Sequence, residues 1–280
     1  MTKTRVLAAL IMAPAAIAAI LLLPSQWLAA AAAVVLLIGL WEWLKLSGID
    51  DTLARTTLLL LNLVPMVLMV WDRDSSLFLF QIAALVGVGW WLLALLWLKF
   101  NRFGADPDSP VRALKLLAGT LAVIPAWAAL VLIHASSEQG HLWLLTSLAV
   151  VWAADSGAYF AGRHFGRHKL APTVSPNKTW EGLFGGLVAG LLVATAFGLG
   201  LGVPSWQLVT VGQLPWLLLV TVVVVFASVL GDLFESLLKR HAGAKDSGHI
   251  IPGHGGVLDR VDGVLAALPV FVIGKEIFGL

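Results

Sequence analysis

Seven charged residues crowd one stretch of this chain: Lys239, Arg240, Lys245, Asp246, Asp259, Arg260 and Asp262, all between Ser236 and Asp262. Their types define the chemistry. Carboxylates suit a hard divalent cation, while ammonium and guanidinium groups suit phosphate oxygens. Beside a membrane such groups are costly to place, and they are functional when they converge. The pattern points to a nucleotide or another phosphoester. Asp259 and Asp262 stand three apart, on one face if the segment is helical, and Asp232 ends an apolar run shortly before them. Three carboxylates at one interface fit Mg²⁺, with waters and phosphate oxygens completing its shell. The same spacing fits a salt-bridge cluster with Arg240 and Arg260 about equally well.

Other positions carry weaker signals. Asp155 sits inside an apolar run, with Tyr159 one helical turn further on. A carboxylate in lipid must be paired, protonated or metal-bound, so Asp155 is either a site residue or the partner of a base. Ser175-Pro-Asn-Lys178-Thr-Trp-Glu-Gly182 opens a later apolar run. Free amides at a helix N-terminus attract anions, and Lys178 adds charge; Pro176, Thr179 and Glu181 are also ordinary helix-start punctuation. Glycines such as Gly255 and Gly256 let backbone amides approach phosphate, or simply make turns. His254 is expected to position phosphate rather than act as a base, because a phosphate monoester is already a good nucleophile near neutrality.

The whole run S-L-L-K-R-H-A-G-A-K-D-S-G-H-I-I-P-G-H-G-G-V-L-D-R-V-D resembles the signature of bacterial phosphatidate cytidylyltransferases, without a gap. The resemblance continues in D-S-G-A-Y (155–159), G-R-H-F-G-R (162–167), S-P-N-K-T-W-E-G (175–182) and G-D-L-F-E-S (231–236). It covers roughly the C-terminal half and departs at Thr173 and Asn177, where the family often has lysine. It implies CTP and phosphatidate as partners, CDP-diacylglycerol and pyrophosphate as products, and Mg²⁺ as cofactor. It favours a metal set of Asp232, Asp259, Asp262 and Asp155, and places the D-x-x-A-Y position in a polar cavity. The catalytic set is then Lys245, Asp246, His254 and Arg260. Ser175, Lys178, Lys239, Arg240, Tyr159, Gly255 and Gly256 would bind substrate.

These groups must be held by membrane helices. Hydrophobic residues make up 59% and charged residues 12% of the 280 residues, and mean hydropathy is +0.92. A soluble domain carries about a quarter charged residues. Without cysteine, disulfides and thiolate metal sites are excluded. The basic residues lie between apolar runs, which favours anionic lipid and phosphorylated substrates over nucleic acid. Runs near 6–23, 27–44, 56–71, 77–98, 116–133, 142–159, 182–201, 215–235 and 263–280 approach or reach bilayer length. Nine spans with a cytoplasmic N-terminus put all of the 18 Lys and Arg except Arg73 and Lys275 on the cytoplasmic side. The expected fold is an all-α polytopic membrane protein of about nine transmembrane helices, in the plasma (inner) membrane, with a polar active-site cavity on the cytoplasmic side.

The Pro-punctuated stretch 101–110 divides an N-terminal transmembrane region, 1–110, from a catalytic region, 111–280. Glu42 and the tryptophans at 41, 43, 71, 90, 91 and 97 read as interfacial anchors. A small residue recurs every fourth position at Gly182, Gly186, Gly190, Ala194 and Gly198. That stripe admits a second helix, in the same subunit or in a homodimer. Two other functions compete. A CTP-dependent lipid kinase would share the chemistry but release CDP. A secondary transporter would explain Asp155, yet coupling sites lie near the midplane and this charge cluster does not. The D-G-x2-A-R pattern of CDP-alcohol phosphotransferases is absent.

Overall fold

The computed structural model describes residues 2–71, 77–105, 110–251, 253 and 255–280. Apolar runs of about twenty residues in hydrocarbon must satisfy their backbone polar groups internally, which makes them helical. Each of the nine runs lies largely within its own helix: α1 (Thr2–Leu22), α2 (Ser25–Leu46), α3 (Thr52–Trp71), α4 (Phe78–Lys99), α5 (Pro110–Ala135), α6 (Gly140–Phe165), α7 (Trp180–Gly198), α8 (Leu214–His241) and α9 (Leu258–Ile277). Among the described residues α2 to α8 are long and apolar enough to cross a bilayer. The described apolar part of α1 is Leu10–Leu22, which is shorter. α9 carries Asp259, Arg260, Asp262, Lys275 and Glu276 at its two ends. Leu60, Leu61 and Leu68 on α3 and Phe184, Val188 and Leu192 on α7 face outward, as lipid contact requires. The chain is a multi-pass, all-α membrane protein.

One short hairpin departs from pure helix. β1 (Lys169–Ala171) pairs antiparallel with β2 (Ser175–Thr179), Lys169 opposite Thr179 and Ala171 opposite Ser175. Residues 175–179, expected to open α7, are therefore extended, and the helix starts only at Trp180. Thr179 caps it: its Oγ1 accepts a hydrogen bond from Gly182 N at 3.1 Å.

The expected interfacial tryptophans divide. Trp71 is exposed, and Trp41 lies under the Arg55 guanidinium at 4.1 Å. Trp43, Trp90 and Trp91 are instead buried around Phe234 of α8, with ring centroids 5.8, 5.6 and 6.1 Å away. Two of the three satisfy their indole N–H groups there: Trp43 donates to Lys115 O at 2.8 Å and Trp91 to Leu265 O at 3.1 Å. These bonds tie α2 to α5 and α4 to α9. The small-residue stripe of α7 is used within the subunit. Gly182 and Gly186 lie on the Ala158 and Ala154 carbonyls of α6, Gly190 meets Val150 and Val225, and Gly198 meets Leu217 of α8. Among the described residues α6 and α7 make the most extensive helix–helix contact.

Candidate active site

A cavity of about 310 Å³ opens where α6, α7, α8 and the hairpin meet. Asp155 and Tyr159 reach it from α6, Ser175, Asn177 and Lys178 from β2, and Asp232 from α8. The close α6–α7 packing, possible only because Gly182 and Gly186 lack side chains, brings the hairpin over this wall. Lys178 Nζ pairs with Asp232 Oδ2 at 2.5 Å, and Ser236 Oγ donates to Asp232 Oδ1 at 3.3 Å.

Asp262 joins from α9 through a second close approach. A methyl group on Gly231 would collide with the Asp262 carbonyl oxygen, and one on Gly263 would meet Ser228 Oγ at 2.6 Å. The pairs Gly231-Asp232 and Asp262-Gly263 thus bring α8 and α9 together beside their carboxylates. Asp262 Oδ1 accepts from Gly263 N at 2.7 Å. Asp155, Asp232, Asp262 and Lys178 lie within electrostatic reach of one another, and Arg260 acts on Asp155. Three acids on three helices with two bases form one polar cluster.

Asp259 belongs to a different network. Its Oδ1 pairs with Lys239 Nζ at 2.7 Å; its Oδ2 accepts from Ser247 N at 2.9 Å and Gly256 N at 2.8 Å, and shares the single Ser247 Oγ proton, 3.0 Å away, with Glu42. Lys239 also pairs with the buried Glu235 at 2.5 Å. Glu42, 3% exposed, completes the chain: its Oε2 accepts from Ser247 Oγ at 2.9 Å and from Leu258 N, the first residue of α9, at 2.8 Å. Glu42 is thus a core residue and not an interfacial anchor. A carboxylate at a helix N-terminus satisfies free amides and complements the dipole. A methyl group on Gly256 would collide with Glu42 Oε2 and Ser247 Oγ, and Gly255 has φ +83°. These two glycines make room for carboxylates, and the Gly256 amide is committed to Asp259.

Several other expected residues lie at the edges of these networks. Arg240 Nε donates to Val174 O at 3.3 Å, bracing the hairpin. Tyr159 OH accepts from Arg163 Nη1 at 2.9 Å. Lys245 and Asp246 are exposed on the connection between α8 and α9. His254 lies outside the described residues. Two contributors escaped the sequence reading. Glu235 hides in the apolar stretch L-F-E-S, and Glu42 lies almost two hundred residues from the signature; the only signal for either is a carboxylate amid hydrophobic residues, which demands a partner. Among the described residues no three His, Asp or Glu side chains are arranged to enclose a metal ion.

A model of the Cytidylyltransferase family matches residues 3–278. The chain is 37% identical to a phosphatidate cytidylyltransferase of Haemophilus influenzae, covering 97% of both chains. It is 40% identical to one of Pseudomonas aeruginosa, covering 97% of this chain and 96% of that one. A third, from Bacillus subtilis, is 46% identical over 47% of this chain and 46% of its own. With the match running from α1 to α9, through both carboxylate networks, the chain belongs to the cytidylyltransferase family.

Proposed function

We propose that the protein is a phosphatidate cytidylyltransferase of phospholipid biosynthesis, working at the cavity between α6, α7, α8 and the hairpin. The observation that carries the location is the convergence of Asp155, Asp232 and Lys178 on that cavity, with Asp262 and Arg260 within electrostatic reach of them. A phosphate oxygen of phosphatidate attacks the α-phosphorus of CTP. The new oxygen–phosphorus bond forms as the bond to the bridging oxygen of the β-phosphate breaks, leaving CDP-diacylglycerol and pyrophosphate. Phosphoryl and nucleotidyl transfers need little covalent help; alignment and charge neutralisation dominate. Lys178 and Arg260 supply positive charge, and Ser175 a hydroxyl. Lys239, held by Glu235 and Asp259, fixes the α8–α9 connection that carries Lys245 and Asp246 toward substrate.

The donor chemistry of the three aspartates fits Mg²⁺, a hard cation that takes one or two carboxylates plus phosphate oxygens and waters. Asp155 and Asp232, the acids that line the cavity, would hold it, with Asp262 adding negative charge beside them. Bound there, it would neutralise phosphate charge. Asp259, whose two oxygens already take a lysine and three other donors, acts as a positioning group. Phosphatidate enters from the bilayer and CTP from the cytoplasm. The basic residues at the ends of α2, α4, α6 and α8 support a plasma-membrane orientation with a cytoplasmic N-terminus. Residues 1–110 then act as a transmembrane scaffold that supplies Glu42, and 111–280 carry the catalytic groups. Reversal tests the reaction class: pyrophosphate with CDP-diacylglycerol should regenerate CTP. Formation of CDP and a newly phosphorylated lipid in the forward direction would establish a kinase instead.

A further inference from the structure

We propose that a second polar cavity, where the ends of α2, α5 and α8 meet, binds a phosphate-bearing anion. It measures about 290 Å³ and is lined by Lys45, Arg112, Lys115 and His241, with Asp50 the one acid among its described lining residues. It shares no lining residue with the cavity at Lys178 and Asp232. Lys115 is the decisive group. Its stem is packed away, the residue being 6% exposed, while its ammonium lines the cavity. A basic residue that merely marks the cytoplasmic side extends into water, whereas basic groups turned together into one cavity call for a counter-charge.

His241 gives an independent sign. Its Nε2 bonds to the Asn101 carbonyl at 2.7 Å, which makes that nitrogen the N–H. Its Nδ1 is buried with no partner among the described residues. With the proton on Nε2, Nδ1 is an acceptor, open to the O–H of a protonated phosphoryl group or of a headgroup. Two lysines and a guanidinium around one cavity suit an anion that accepts hydrogen bonds from several directions, as a phosphoryl group does. Such groups come from free phosphate or from an anionic lipid headgroup, which gathers at basic helix ends. Because His241 follows Arg240 on α8, an occupant would brace the same helix end that holds the hairpin through Val174.

The test uses the full-length protein in nanodiscs and its thermal unfolding midpoint, since a ligand that binds the folded state raises it. One arm adds inorganic phosphate to phosphatidylcholine nanodiscs, against chloride at equal ionic strength. The other replaces phosphatidylcholine by phosphatidylglycerol in phosphate-free buffer. A rise in the first arm identifies a soluble phosphate ligand, a rise in the second a lipid headgroup, and a rise in both the shared chemistry. Lys115→Met should raise the half-saturating concentration at least about tenfold, the scale of one charged hydrogen bond. Lys45→Gln should raise it several-fold, while Lys178→Gln in the other cavity should leave it unchanged. No rise in either arm overturns the proposal, as does a wild-type response in both Lys115→Met and Lys45→Gln. If Lys115→Met does not fold, Lys45→Gln on the exposed rim decides alone.

Discussion

At the scale of single residues the structure separates carboxylates that the sequence groups together. Asp259 and Asp262 are three apart, yet one is saturated by protein donors and the other faces Asp232 across a helix contact. Glu42 shows what the first network does. Removing its side chain as Glu42→Ala leaves the buried Leu258 N–H without its acceptor, a loss of roughly 1–3 kcal/mol. The unfolding midpoint in detergent should fall, with catalysis falling beside it because α9 loses its anchor. Glu42→Gln keeps an acceptor oxygen and should retain most of the stability. Equal midpoints for wild type and Glu42→Ala would remove Glu42 from this role. None of this could be read from position 42 in isolation. Flanked by tryptophans at the end of an apolar run, it has the local signature of an interfacial residue, and only the approach of Ser247, Gly256 and Leu258 makes it a core group.

Among the elements, α8 and α9 illustrate how a missing side chain sets chemistry. Gly231 and Gly263 allow contact at backbone distance, and the neighbouring Asp232 and Asp262 follow from it. Gly231→Ala forces the helices apart, an overpacking loss of about 1–3 kcal/mol, and should raise the Mg²⁺ concentration needed for half-maximal activity. Gly89→Ala on α4 is the control, since an added methyl meets nothing within 4 Å. If both variants behave alike, the close approach does not set the site. The helices themselves were legible because apolar length is a one-dimensional property. The hairpin was not: residues 169–179 show no strand alternation, and they pair because α6 and α7 hold their ends together. The α7 stripe announced close packing, but its partners, α6 and α8, depended on the tertiary arrangement.

For the whole molecule, the account requires both cavities and the α8–α9 connection to lie on the cytoplasmic side. With no native cysteine, single replacements report this cleanly. Lys245→Cys, on an exposed position, should resist an impermeant maleimide added to intact cells, and Ser137→Cys should react; the opposite pattern inverts the topology. Ser247, buried between Glu42 and Asp259, would be a poor reporter. The central claim is that cytidylyl transfer occurs at the Asp155–Asp232–Asp262 cluster. The most direct measurement follows α-labelled CTP incubated with phosphatidate and purified wild-type, Asp232→Asn or Asp262→Asn protein. Wild type should move the label into lipid with one pyrophosphate released per lipid. Each variant, still inserted and folded, should lose roughly a hundredfold or more in kcat, the scale of a major electrostatic contact at the reacting centre. Near wild-type turnover by both variants with unchanged Mg²⁺ dependence, or label recovered as CDP, would contradict the account.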